Sequence, residues 1–217
     1  MSLAETLRWP FFNAGHRDFA ERLSRWAADN LHKLPHDDVD EACRARVKAL
    51  GEAGFLAPTV PAIYGGAHPQ LDVRTLCLAR EILGFHDGLA DFAFAMQGLG
   101  TGSLTLYGTP ELKERYLPNV GKGKSIAAFA ISELEAGSDV AALKTTAEPD
   151  GNAYVRLNGN KTWISNAPIA ELYLVYATVA PGTRSKGITS FVVEKGDPGF
   201  TPGRALPKAS PSSMGKP

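Results

Sequence analysis

Phe129-Ala130-Ile131-Ser132-Glu133-Leu134-Glu135-Ala136-Gly137-Ser138-Asp139 is an apolar run that ends in a small, polar, glycine-containing turn. Such a run, feeding Ala136-Gly137-Ser138-Asp139, predicts a strand that delivers backbone amides and a hydroxyl to a ligand, because glycine lacks the Cβ that would hold the ligand off. Downstream, Lys161-Thr162-Trp163-Ile164-Ser165-Asn166 offers a large aromatic plane beside a hydroxyl. Together the two segments suit a flat, hydrogen-bonding, phosphate-bearing cofactor, with Trp163 against the ring and Ser132, Ser138 and Ser165 supplying donors. A flavin nucleotide meets that description.

The chain ahead of the first segment has helical periodicity. Phe19, Leu23, Trp26 and Ala27 recur at three- and four-residue intervals after Asn13, an N-cap candidate. His36-Asp37-Asp38 opens a second helix with Val39, Ala42, Val47 and Leu50 on its apolar positions and Gly54 as its C-cap. Residues 55–66 carry three helix-breaking signals, so they read as a loop packed down by Phe55, Val60 and Ile63. Asp72 starts a third helix that stops near Gly84. Residues 89–107 contain Asp91 as the one ionisable side chain before Tyr107, which predicts a helix buried nearly all round. Thr109-Pro110-Glu111 is a strong helix start, with the end expected near Pro118.

After Gly121-Lys122-Gly123-Lys124 the period becomes strand-like. Residues 125–131 are continuous and apolar, residues 153–157 alternate, and the pairs Asp150-Gly151 and Asn158-Gly159 signal hairpins. Residues 171–179 and 187–194 read as two further strands. A block of helices followed by a block of strands excludes βαβ alternation and predicts an α+β chain: an all-helical unit over residues 1–125, then a mostly antiparallel β unit over residues 126–217. Residues 201–217 hold four prolines, three serines and two glycines; alone they read as a disordered tail or linker, or else the chain stops inside the β unit.

Composition narrows the function classes. Twenty-three basic residues balance 23 acidic ones, so no net field exists to hold nucleic acid or an anionic membrane. No apolar stretch has the length of a signal peptide or of a membrane span. Cys43 and Cys77 lack CxxC spacing and sit on amphipathic stretches, which predicts two reduced, buried thiols in a cytoplasmic protein. His16, His32, His36, His68 and His86 are too scattered for a metal site and read as surface or capping residues. Lys122 and Lys124 read more readily as a solvated loop than as phosphate ligands.

The two quoted segments resemble the flavin-binding signatures of the acyl-CoA dehydrogenases. Residues 54–66 resemble that family's loop after its second long helix, and Tyr107-Gly-Thr-Pro-Glu-Leu-Lys-Glu-Arg-Tyr-Leu-Pro118 resembles the segment leading into its β domain. The likeness runs from Phe19 to Phe200. It implies FAD as cofactor, with Phe129, Ala130, Ile131, Ser132, Gly137 and Ser138 along the flavin and Trp163, Ile164 and Ser165 forming the second contact strip. It also implies that Ser138 approaches a CoA-bearing substrate, and that Met96, with Gln97 and Leu99, lies where relatives line the acyl pocket. Leu134 and Glu135 depart from the family's usual Pro and small residue at that turn.

The implied reaction is α,β-dehydrogenation of an acyl-CoA thioester, which needs a base for the α-proton and an acceptor for the β-hydride. Relatives carry that base in a C-terminal helical domain, so no catalytic residue is assigned in this chain. Glu133, next to Ser132 on a strand, is expected to face the other way and to pair with a cation or turn amide. The resemblance also implies an electron-transfer protein as acceptor and a homo-oligomer at full length. Two other readings remain: a flavin- or acyl-CoA-binding module that works with a partner chain, and an oxidase or an enzyme for carrier-bound acyl groups.

Overall fold

The computed structural model describes residues 3–151 and 154–203. Six α-helices precede five strands among these residues: α1 (Leu3–Thr6), α2 (Ala14–Asn30), α3 (Val39–Glu52), α4 (Val73–His86), α5 (Gly88–Tyr107), α6 (Pro110–Gly121), then β1 (Ala127–Ala130), β2 (Thr146–Asp150), β3 (Tyr154–Asn158), β4 (Leu172–Thr178) and β5 (Ile188–Glu194).

Polar caps start the helices by accepting otherwise unpartnered backbone N–H groups. Asn13 accepts from His16 N–H while the His16 ring accepts from Asn13 N–H, a reciprocal box. Asp38 caps α3 through Glu41 N–H at 2.8 Å, Asp72 caps α4, and Thr109 caps α6 with Pro110 at its first position. Gly54, just past α3, takes the left-handed φ of 78° that favours glycine.

α5 is the central element. It packs on α3, α4 and α6 on one side and on β1 and β4 on the other. Gly100 makes this possible: a Cβ there would lie 2.6 Å from the Ala127 Cβ, so the helix approaches β1 more closely than any side chain allows. Gln97, fully buried, donates to the Val120 and Ser125 carbonyls and accepts from Ala127 N–H, which joins α5 and the end of α6 to the start of β1. One hydrophobic core therefore runs through both halves, from Leu23, Val47, Leu83 and Phe94 to Ala128 and Tyr173.

β4 organises the sheet. It pairs with β1 in parallel (Ala127↔Leu172 to Ala130↔Val175) and with β5 in antiparallel (Leu172↔Glu194 to Thr178↔Ile188). Its last residue, Thr178, meets Thr146 of the β2–β3 hairpin. The antiparallel ladders are the longer ones, and the fold is the expected helical region followed by a sheet.

Several local expectations are corrected. α4 runs through Gly84 to His86, because Asp87 rather than Gly84 supplies the break and caps the next helix. α6 passes Pro118 and ends at Gly121; the proline sits in the last turn and accepts a hydrogen bond from Lys122 N–H. α5 is not buried all round: Leu99, Leu106 and Tyr107 are exposed. Ile63 is exposed too, while Phe55 and Val60 do pack down. Cys43 is buried as expected, whereas Cys77 lies on the outer face of α4. Asp150-Gly151 begins the β2–β3 turn, but no strand follows Asn158-Gly159. Instead Gly159 lies so close to Thr145 that a Cβ would sit 2.3 Å from its hydroxyl. Of the proline- and serine-rich stretch, residues 204–217 lie outside the described residues. None of the helices described is long and apolar enough to cross a membrane.

Candidate functional site

Beyond β1 the first segment leaves the sheet and turns back on itself. Glu133 N–H donates to the Ala136 carbonyl at 3.0 Å and Ala136 N–H returns to the Glu133 carbonyl at 3.2 Å, so Leu134 and Glu135 form the tip. Leu134 is 86% exposed and Glu135 pairs with Lys144. Gly137 and Ser138 follow on the surface. A Cβ at Gly137 would touch nothing of the protein, so internal packing does not demand glycine there.

The second segment is brought directly onto the first. Thr162 N–H donates to the Ser132 carbonyl at 2.9 Å, and the Lys161 ammonium donates to the Ile131 carbonyl at 3.2 Å. Trp163 then adopts a left-handed backbone (φ 58°), uncommon for a bulky residue, and presents its ring 66% exposed. A large aromatic held in that way beside a polar strip is arranged for contact, not for the core. Ile164 packs partly into the main core, Ser165 is half-buried, and Asn166 is buried with φ 63°.

The Asn166 Oδ1 accepts from the Cys43 thiol at 3.6 Å, while its Nδ2 is buried without a hydrogen-bond partner. Burial pushes the Cys43 thiol up to about 11, with Arg46 and Arg44 opposing the shift and Asp40 adding to it. That thiol is a packed group, not a nucleophile.

Under the strip lies a buried ion pair. Glu133 accepts from Lys161 Nζ (2.7 Å), Lys144 N–H (2.6 Å), Thr145 N–H (3.0 Å) and the Thr145 hydroxyl (2.5 Å). Its desolvation pushes the carboxyl up, but the Lys161 and Thr145 hydrogen bonds and the two amides outweigh this and hold it at about 2. Lys161 shifts downward as well, because its own desolvation exceeds the pull of Glu133. The expected pairing of Glu133 with a cation and turn amides is what the structure has. Lys161, Thr145 and Asn166 were not singled out by the sequence, which shows neither burial nor contacts across some thirty residues.

Other expected residues fall nearby in varied settings. Ala130 is buried in β1, Ile131 and Ser132 are half-buried, and the Phe129 ring packs at a tilt against Tyr176 of β4, with the ring centres 5.0 Å apart. Met96 is half-buried on α5. Asp139 is clamped by Arg184 at 2.8 and 2.9 Å. An open cleft of about 320 Å³ lies between residues 141–144 and 178–188, but its two cations, Lys144 and Arg184, are already paired. Among the described residues no group of three His, Cys, Asp or Glu side chains is placed to hold a metal ion.

Residues 13–124 match the acyl-CoA dehydrogenase N-terminal domain and residues 128–215 match the acyl-CoA dehydrogenase middle domain. The chain belongs to the acyl-CoA dehydrogenase family. It is 35% identical over 189 residues to an acyl-CoA dehydrogenase of Bacillus subtilis, covering 87% of this chain and 48% of that protein. It is 42% identical over 192 residues to the mitochondrial isovaleryl-CoA dehydrogenase of Pongo abelii, covering 87% of this chain and 45% of that one. Among solved structures it is similar to the FAD complex of PigA, with a TM-score of 0.78 at 31% identity, covering 91% of this chain and 52% of the other. The chain thus spans about half the length of the curated relatives that it matches.

Proposed function

We propose that this chain forms the flavin-holding part of an FAD-dependent acyl-CoA dehydrogenase, with the helical unit (1–125) backing a sheet unit (126–217) that carries the cofactor strips. The observation that carries this reading is the Thr162–Ser132 hydrogen bond, which joins the stretch bearing the exposed Trp163 ring to the first segment at Ser132. The residues fit a flavin nucleotide. Trp163 offers an open aromatic face, the turn has no packing need for its glycine, and the Asn166 amide is a buried donor without a partner.

When bound, FAD supplies the acceptor for the β-hydride of an acyl thioester. The chain's own residues bind and orient. Residues 129–132, Gly137 and Ser138 would hold the cofactor, with Trp163 against its ring and Ile164 and Ser165 as the second strip, and Ser138 and Met96 would border the acyl-CoA. The acidic side chains of the first segment are all engaged: Glu133 by Lys161, Glu135 by Lys144 and Asp139 by Arg184. The first segment therefore offers no unpaired carboxylate to take the α-proton, and the base is drawn from outside it. A protein electron acceptor, a homo-oligomer and a cytoplasmic location belong to the same reading.

The test is titration of the protein with FAD, followed by anaerobic addition of an acyl-CoA. Uptake of FAD by the wild type and at least tenfold weaker uptake by Trp163→Ala are the expected results, and bleaching of the bound flavin by an acyl-CoA would show that the base is supplied as well. A protein that takes up no FAD sinks the cofactor reading. Spectral perturbation without bleaching instead favours a binding module that needs a partner chain for the base.

A further inference from the structure

Three separate pieces of chain converge beneath the strip, and the convergence is built from charge. Residues 131–133 supply the Ile131 and Ser132 carbonyls and the Glu133 carboxylate; residues 144–145 supply two N–H groups and a hydroxyl; Lys161 supplies the ammonium. The Lys161 and Glu133 side chains are 11% and 8% exposed. A buried pair of this kind is a poor way to gain stability, since desolvating two charges costs about as much as their attraction returns. What it does impose is geometry. Lys161 reaches both a backbone carbonyl and a carboxylate of the first segment, and Glu133 uses both oxygens. Gly159 then rests against Thr145, where any side chain would collide, and this closes the third side of the knot. Thr162, the next residue, makes a backbone hydrogen bond from this stretch to the Ser132 carbonyl of the first segment, and Trp163 follows immediately in its left-handed conformation.

The geometry points to the Lys161–Glu133 pair as a positioning device that sets the spacing and orientation of the two flavin-facing segments, and with them the placement of the Trp163 ring. In its cofactor consequence the inference rests on the reading proposed above. In its structural core it does not, because the pair acts on the protein whether or not a ligand is bound.

The experiment uses Lys161→Met and Glu133→Gln in the full chain, with two readouts. The first is amide hydrogen exchange without FAD. The expected result is at least tenfold faster exchange at Thr162 and Thr145, with the amides of Leu174 and Val175 in β4 unchanged. The second is FAD titration, with an expected rise in Kd of at least tenfold and an altered visible circular dichroism of the bound flavin. Unchanged exchange at Thr162 overturns the inference. So does exchange accelerated equally through β4 and the helices, because that marks a general stability role. Absence of FAD binding by the wild type would defeat the cofactor reading while leaving the exchange result to decide the positioning role. If Lys161→Met does not fold, Glu133→Gln is read in the same way; if neither keeps the native far-ultraviolet spectrum, the pair is a folding determinant and the inference fails.

Discussion

Asp87 serves Arg46 and a helix end with its two oxygens. Oδ2 accepts from the Arg46 Nε at 2.9 Å and Nη2 at 2.6 Å, while Oδ1 accepts from Leu89 and Ala90 N–H at the start of α5. Arg46, on α3, has a side chain only 2% exposed and donates also to the Pro35 and Ala42 carbonyls. The pair thereby locks α3 to the first turn of the helix on which the sheet is packed.

Removing either partner leaves the other charge buried. Arg46→Met is expected to cost about 3–5 kcal/mol, and Asp87→Ala about as much with a further ~1 kcal/mol for the lost cap. The double variant should be less unstable than the sum of the two, which chemical denaturation of all three variants measures.

Acid should loosen the site before it unfolds the rest. Glu133 is held at about 2, below the ~4.3 of a free glutamate, so its ionised form favours the folded state. That contribution is fully present above about 4.3 and is lost as the pH falls from there through about 2. Because Lys161 is shifted downward too, the net effect of the pair is smaller than the carboxylate's shift alone. Thr162 amide exchange, corrected for intrinsic rates, should accelerate across this window in the wild type and show no such step in Glu133→Gln.

Gly100→Ala tests the close approach of α5 and β1. In an exposed helix this change gains about 1 kcal/mol, but here the new methyl would lie 2.6 Å from the Ala127 Cβ and 2.9 Å from its carbonyl carbon. Overpacking should win, with a loss of about 1–3 kcal/mol in denaturant titration. A stabilised variant would show that the helix can shift away from the strand.

The two cysteines should differ in reactivity. Brief treatment of the native protein with iodoacetamide at pH 8 should label Cys77 and spare Cys43, whose thiol is buried and raised to about 11. Peptide mass spectrometry reads the result, and denaturation before labelling should make both react.

Much of the helical half was legible because its signals are local. Asn13 and Thr109 cap the helices they were expected to cap, and Asp38 and Asp72 cap helices that start where expected, since an N-cap side chain needs only the N–H groups two or three residues ahead. Gly84 misled because glycine costs a helix only about 1 kcal/mol, which packing readily offsets; the break came from Asp87. Asn158-Gly159 misled for another reason. Its glycine serves a long-range approach to Thr145 rather than a hairpin turn.

By itself the sequence determined the order of helices before strands, the helix starts, and the two segments whose residues mark the family. These follow from periodicity, capping and motif, all of which act within a few residues. Only the tertiary structure decided that Thr162 meets Ser132, that Lys161 and Glu133 are buried together 28 positions apart, and that Trp163 is turned outward through a left-handed backbone. Burial and long-range hydrogen bonding depend on which parts of the chain pack against one another, and that is settled only when the sheet closes on α5.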